Sequence, residues 1–347
     1  MNIEEKVVNT ICKNNLIESG DKIILAVSGG PDSMCMLDIL NNIRKSCQKG
    51  PSPVAKFDFI VCHVNHMIRE EAKDDEKYVK DYCAKKNIEF YSKSIDVQKM
   101  ANTSKIGTEE AGRKVRYEFF NEMLKQKKCN KIAIAHNKND KVETIIMHIL
   151  RGSGISGLRG IEPKRDIYIR PLIECERSEI EDYCEKNDLN PKIDKTNFDN
   201  IYTRNKIRNV VIPYVQREFN PNIIETINRL SELTIEEDNY INRQIEKIYN
   251  ELLISQENDE IALDLKGFNM QEDVIKMRLI RYTITRIFGS SEGIEKIHMV
   301  DILKLCSNNI GNKYLTPNKN IKVLIKNHRI YFIKQVWVPV TKALKHA

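Results

Sequence analysis

A chain of 347 residues, 41% hydrophobic and with a net charge of +7, is long enough for about two domains, each with a buried core. No apolar run approaches the ~20 residues needed to span a bilayer, and Met1-Asn2-Ile3-Glu4-Glu5-Lys6 is neither a cationic signal start nor an arginine-rich transit peptide, so the expectation is a cytoplasmic protein with no membrane partner. Nine scattered cysteines, an odd number with no C-x-x-C pair, read as small buried thiols in a reducing compartment and argue against disulfides, zinc or a metal cluster.

Residues 1–20 are predicted to form a short amphipathic helix ending at Gly20. The apolar run Ile23 to Val27 then stops at Ser28-Gly29-Gly30, and Pro31 stands where the first residue of a helix is expected, ahead of Asp32, Ser33 and the amphipathic stretch Met34 to Leu40. This reads strand, tight turn, helix. Adjacent glycines let backbone approach a ligand, and the free N–H groups of a helix start favour an anion, with phosphate the expected one. The Walker ending Gly-Lys-Ser/Thr is absent. The run Ser28-Gly29-Gly30-Pro31-Asp32-Ser33 instead resembles the pyrophosphatase-type loop of ATP-dependent adenylating enzymes, which holds the β/γ pyrophosphate as leaving group. By that resemblance these six residues bind ATP, and Asp32 serves Mg2+.

After a Gly50 to Pro53 linker, a βαβ rhythm follows. Strands are predicted at Phe57 to Val64, Ile88 to Ile95, Lys131 to Ala135 and Ile167 to Ile173, with helices at Glu70 to Lys86, Thr108 to Lys127, Asp140 to Leu150 and Ser178 to Asn187. The alternation argues a doubly wound parallel sheet with its ligand at the carboxyl ends of the strands. Polar residues stand there: Ser28, then His63-Val64-Asn65-His66-Met67-Ile68-Arg69, then His136 to Glu143. Asp140 and Glu143, spaced i,i+3, share one face of a first helical turn, where acids also favour the helix dipole. Four glycines in 151–160 suggest a mobile loop beside the site, and Arg204 and Arg208, spaced i,i+4, would share a helix face.

From about Pro213 the rhythm stops, placing a boundary near 211–220. A long helix (Asn222 to Leu253), a strand (Glu260 to Leu265), two helices (Val274 to Phe288, Ile294 to Cys306) and a hairpin (Ile321 to Ile325, Ile330 to Ile333) are expected, then a loose tail from Val340. After Asp301 there is no acidic residue, while Lys304, Lys313, Lys319, Lys322, Lys326, Arg329, Lys334, Lys342 and Lys345 form a basic end. A solvated face or a polyanion surface would both produce it.

Taken together, Ser28 to Ser33, His63 to Arg69, Glu109-Glu110-Ala111-Gly112-Arg113 with Arg116-Tyr117, Ala135-His136 with Asp140 and Glu143, Arg151 to Gly154, Arg170-Pro171-Leu172, and Asp194 to Arg208 resemble the tRNA(Ile)-lysidine synthetase family, strongly over about residues 20–215. The chain departs from that pattern at Gly112 and Asn209. The resemblance implies an α/β fold of the adenine nucleotide alpha hydrolase type: a PP-loop ATP-binding catalytic domain, 1–215, and a smaller, mainly helical tRNA-binding region, 216–347, with the hairpin at its end. It implies an ATP- and Mg2+-dependent ligase that adenylates C2 of the wobble cytidine of tRNA(Ile) with anticodon CAU, then joins L-lysine there. Catalytic residues would be Asp32, Arg113, His136, Asp140 and Glu143, with Asp140 and Glu143 also holding lysine and His136 taking or relaying a proton. Arg204, Lys206, Arg208 and the basic end would contact tRNA, and a homodimer is common in the family. The alternative is another PP-loop tRNA-modifying enzyme, such as a thiolase.

Overall fold

The computed structural model describes residues 1–67, 72–192, 202–290, 293–308 and 313–335. Arg69, Asp194 to Asn197, Lys342, Lys345 and the tail from Val340, all singled out above, lie outside that part, as does the Glu109 side chain. Two compact units, Met1–Ile235 and Glu236–Ala347, divide the chain.

The first unit begins with α1 (Ile3–Lys13), β1 (Lys22–Ala26), α2 (Pro31–Lys49), β2 (Asp58–Asn65), α3 (Ala72–Lys86) and β3 (Phe90–Ser94). It continues through α4 (Val97–Ser104), α5 (Thr108–Lys127), β4 (Lys131–Ile134), α6 (Lys138–Leu150), α7 (Ile155–Leu158), β5 (Lys164–Arg165), β6 (Tyr168–Ile169) and α8 (Arg177–Lys186). Then come α9 (Thr203–Lys206), a π-helical turn (Ile207–Val211), α10 (Ile212–Glu218) and α11 (Ile223–Leu252), within which the two units divide.

The sheet order is β3-β2-β1-β4-β6-β5, parallel except for β5 at the edge. β1 lies between β2 and β4, with Ile23 opposite Phe59 on one side and Lys131 on the other. Both faces of this strand are covered, which is why it reads as an unbroken apolar run. Ile23 and Leu25 join the core under α1, α2, α3 and α8, while Ile24 packs with Phe119, Phe120 and Met123 of α5. The layered α/β architecture expected from the sequence is therefore the one observed, and it brings the carboxyl ends of β1, β2 and β4 together at one rim of the sheet.

Local differences have local causes. The strand expected over 167–173 is only Tyr168–Ile169, because Arg170 bonds back to the Pro163 and Glu162 carbonyls and Pro171 has no N–H for a ladder. Helix α4 is an addition, capped by the Asp96 carboxylate on the Lys99 N–H at 2.9 Å. The glycine-rich loop contains α7 and is anchored to α6: His148 Nδ1 meets the Gly157 carbonyl at 2.7 Å, and Gly160, at φ +63°, sits where a Cβ would come within 2.8 Å of Ile145.

The second unit has a five-stranded antiparallel sheet, β7-β8-β11-β10-β9, in which the expected hairpin and the expected strand from Glu260 are joined by two further strands. Its elements are β7 (Leu253–Gln256), β8 (Glu260–Asp264), α12 (Leu265–Asn269), α13 (Asp273–Phe288), α14 (Lys296–Asn308), β9 (Tyr314–Asn318), β10 (Ile321–Lys326) and β11 (Arg329–Lys334). Val323, Ile325, Ile330 and Phe332 face a core shared with α13 and α14. No helix among the described residues is long and apolar enough to cross a membrane.

Candidate active site

The turn after β1 is held by one hydroxyl. Ser33 Oγ accepts the N–H groups of Ser28 and Gly29, both at 3.1 Å, donates to the Gly30 carbonyl at 3.0 Å and lies 3.2 Å from Ser28 Oγ. Gly29 takes φ +94°, a conformation that strains any residue with a Cβ. Gly30 then caps α2 without a side-chain hydrogen bond, and among the described residues no side chain bonds the first-turn N–H groups, which suit an anion. Of the two expected serine ligands, Ser33 is buried as the brace of the loop, and Ser28 is exposed.

Asp32 on the first turn of α2 meets the first turn of α6 through Asn137. Asn137 is fully buried and caps α6 in a reciprocal box with Asp140: Oδ1 accepts the Asp140 N–H at 2.9 Å, and Asp140 Oδ2 accepts the Asn137 N–H at 3.1 Å. Its amide donates to Asp32 Oδ1 at 2.9 Å, tying the two helix starts together. The sequence reading passed over Asn137, although an Asn three residues ahead of an acid at a helix start is a legible capping signal. Burial and then the nearby Asp140 charge push the Asp32 carboxyl above its ordinary range.

Glu143, one turn on, is fully buried and surrounded by guanidinium groups. Arg208 Nε reaches Glu143 Oε1 at 2.6 Å and its Nη2 reaches Oε2 at 2.8 Å and Asp140 Oδ1 at 3.0 Å. Arg204 Nε donates to Glu143 Oε2 at 2.9 Å and Nη2 to the Asp140 carbonyl at 3.2 Å; Arg177 stands 3.8 Å away. Burial works against the Arg208 charge, but Glu143 and then Asp140 outweigh it and hold the guanidinium more firmly protonated. Arg204 and Arg208 do share a face, across α9 and a π-helical turn of the kind often found at functional sites. That face meets the two acids, and only Lys206 of the trio is exposed.

Helix α6 is braced from behind. Lys138 Nζ pairs with Glu225 at 2.9 Å, and the buried Lys141, its pKa lowered by burial, donates to Asn228 at 2.9 Å. Around the rim, His63 Nδ1 meets the Val27 carbonyl at 2.8 Å, and His66 is pushed down to about 4 by burial and then by Arg116, whose Nη2 lies 3.4 Å from its Nε2. Arg113 is exposed and lies 5.4 Å over the Tyr117 ring, which meets Tyr168 edge-on.

Residues 2–215 match the model of the PP-loop domain family. The chain is 43% identical over 330 residues to the tRNA(Ile)-lysidine synthase of Clostridioides difficile strain 630, covering 94% of this chain and 70% of that protein. The chain belongs to the tRNA(Ile)-lysidine synthase family. Another member, from Clostridium tetani, is 44% identical over 92% of this chain and 66% of its own length. This family member thus spans about two thirds of the length of these clostridial relatives. A U34-tRNA thiolase from Methanococcus maripaludis with a [4Fe-4S] cluster, 20% identical and with a TM-score of 0.55 over 67% of this chain and 78% of its own, shares the fold alone. In the lysidine synthase family member described here, the loop, Asn137 and the acid pair all lie at the carboxyl ends of β1 and β4, where an α/β sheet places its ligand.

Proposed function

We propose that this chain uses ATP to join L-lysine to C2 of the wobble cytidine of tRNA(Ile) with anticodon CAU, in the cytoplasm. The C2 oxygen of the base attacks the α-phosphate of ATP, releasing pyrophosphate; the ε-amine of lysine then attacks C2, and the oxygen leaves with AMP. The observation that carries this reading is the Asn137 bridge, which sets an anion-ready helix start and a carboxylate pair side by side.

Each half-reaction has a candidate in the site. The Ser28 to Ser33 loop and the start of α2 suit departing phosphates. Asp32 fits a Mg2+ ligand: Asn137 occupies one carboxylate oxygen, no hydrogen bond reaches the other among the described residues, and a cation would offset the burial and the Asp140 charge that raise its pKa. When bound, Mg2+ would neutralise phosphate charge.

Lysine sets a separate demand. With a pKa near 10.4 its amine is neutral in about one molecule in 2,500 at pH 7, a penalty of ~4.6 kcal/mol, so a site must hold the ammonium and strip its proton. Asp140 and Glu143 carry the charge for that once Arg204 and Arg208 turn from them. Arg113 with Tyr117 at the rim, and exposed Lys206, suit RNA phosphates and an unstacked base.

Incubating the protein with ATP, labelled lysine and unmodified tRNA tests this reading. Label bound to tRNA, dependent on ATP and on the CAU anticodon, is expected; labelled tRNA failing to form while ATP is still split would refute it.

A further inference from the structure

Arg170 is 8% exposed and held at both ends of its guanidinium. Nη1 donates to the Glu162 carbonyl at 2.7 Å, and Nε donates to His136 Nδ1 at 3.2 Å. Its backbone is fixed as well, with its N–H on the Pro163 carbonyl at 2.8 Å. The acceptor Glu162 is steadied in turn by two contacts of 3.0 Å from Arg159 to its carboxylate. The group facing His136 therefore has no slack to withdraw.

A guanidinium has only donors and keeps its protons, so the ring nitrogen in front of it must offer a lone pair. A neutral imidazole that accepts at Nδ1 carries its hydrogen on Nε2. We propose that Arg170 is a positioning residue that locks His136 as the Nε2–H tautomer, so that this histidine acts as a neutral hydrogen-bond donor to a substrate oxygen and not as the acceptor of the lysine proton. The inference rests on reading His136 as a site residue, and it deepens that reading by assigning the direction of its hydrogen bond. The proton lost by the lysine ammonium then passes by the Asp140 and Glu143 carboxylates to solvent.

The charged groups around the ring agree with a neutral state. Burial comes first in lowering the His136 pKa to about 4; Asp140 of α6 opposes it, while Arg170, Arg204 of α9 and Arg116 of α5 reinforce it. A histidine meant to take a proton near neutral pH would sit close to its ordinary value.

Long-range proton–nitrogen correlation spectra of the ligand-free 347-residue chain, with one of its seven histidines assigned by His136→Gln, read the tautomer without any substrate. The expected result is an acceptor-type Nδ1 and a protonated Nε2 that do not titrate from about pH 5 to about pH 9, a range that brackets the ordinary imidazole value. A proton on Nδ1, or a midpoint near that ordinary value, overturns the proposal whether or not the protein makes lysidine. In Arg170→Met the proton affinity of His136 should rise about tenfold, one pKa unit, and kcat should gain an acidic limb while the KM for ATP holds. Arg170→Lys, which keeps charge and a donor, should restore the wild-type spectrum. An unchanged His136 signal in Arg170→Met would reduce Arg170 to packing, and if that variant does not fold, the wild-type spectrum and the lysine variant decide.

Discussion

Arg208 meets Glu143 as a fork, with Nε 2.6 Å from one carboxylate oxygen and Nη2 2.8 Å from the other. A buried carboxylate paired this way is satisfied, so a lysine ammonium that bound the same oxygens would have to displace an arginine. Replacing Arg208 with Gln removes one of the two competing guanidiniums and frees Glu143 Oε1, leaving Arg204 on Oε2. Free lysine should then bind about tenfold tighter in the absence of tRNA, the lower end of what a charge-assisted contact contributes. Equilibrium dialysis with labelled lysine measures it, with thermal melting to confirm that the fold survives. Unaltered affinity would mean that this ion pair does not guard a lysine site.

Glu143→Gln separates the two chemical steps. The amide keeps the size and most of the hydrogen bonding but loses the charge, so lysine use should fall by about ten- to 150-fold, corresponding to ~1.5–3 kcal/mol, while adenylation of tRNA continues. Adenylated tRNA should accumulate in a quenched reaction and respond to excess lysine. Lost adenylation with unchanged binding of free lysine would instead assign the acid to the first step.

Much of this site could be read from the chain because it is built from short-range signals. Strand, glycine turn and Pro31 at a helix start are local chemistry, and Asp140 with Glu143 is helix periodicity. What stayed hidden depends on distance in sequence. Nothing local says that Arg204 and Arg208 fold back onto acids more than 60 residues away, and by composition they read as an RNA-facing pair. Arg170 looked like part of a strand, and only the long-range bond to His136 gives it a task. In the second unit, β7 and β9 carry exposed polar residues and end in irregular register, so they lack the alternation that betrays an edge strand.

Asp32→Ala should abolish pyrophosphate release with or without lysine. It removes both the carboxylate that suits Mg2+ and the partner of Asn137, and adenylation precedes lysine entry. Lysine-independent pyrophosphate release on tRNA is the measurement, and retention of that activity would take Asp32 out of the ATP site.

Asp21 offers a pH test of the first unit. Burial raises its pKa, but the Glu18 N–H, Lys131 at 2.7 Å and Asn130 at 2.7 Å outweigh it and hold the carboxyl below its ordinary value. A depressed carboxylate pKa contributes stability above the unfolded value that is lost as pH falls through the folded one. Asp21→Asn should therefore cost about 3 kcal/mol at neutral pH, the lower end for a broken buried pair, since it leaves the buried Lys131 with Glu18 at 3.6 Å as its remaining carboxylate, and the gap to wild type should narrow below about pH 4. Urea midpoints at the two pH values measure it; a gap independent of pH would mean that charge is not the cause.

The basic end needs a gentler test than truncation. Removing residues from 304 onward would strip β10 and β11, whose Val323, Ile325, Ile330 and Phe332 form part of the core of the second unit. Lys322, Lys326 and Arg329 avoid this problem: Lys326 and Arg329 are exposed, and Lys322 lies 4.4 Å over the exposed Tyr314 ring on the strand face opposite that core. If they neutralise tRNA phosphates, changing all three to Gln should weaken tRNA binding and make log Kd less dependent on log salt by about 0.7 per lost contact, hence about 2 in all. ATP binding should not change. A salt slope equal to wild type in a folded triple variant would identify this face as simply solvated and move the tRNA contacts to Arg113 and Lys206.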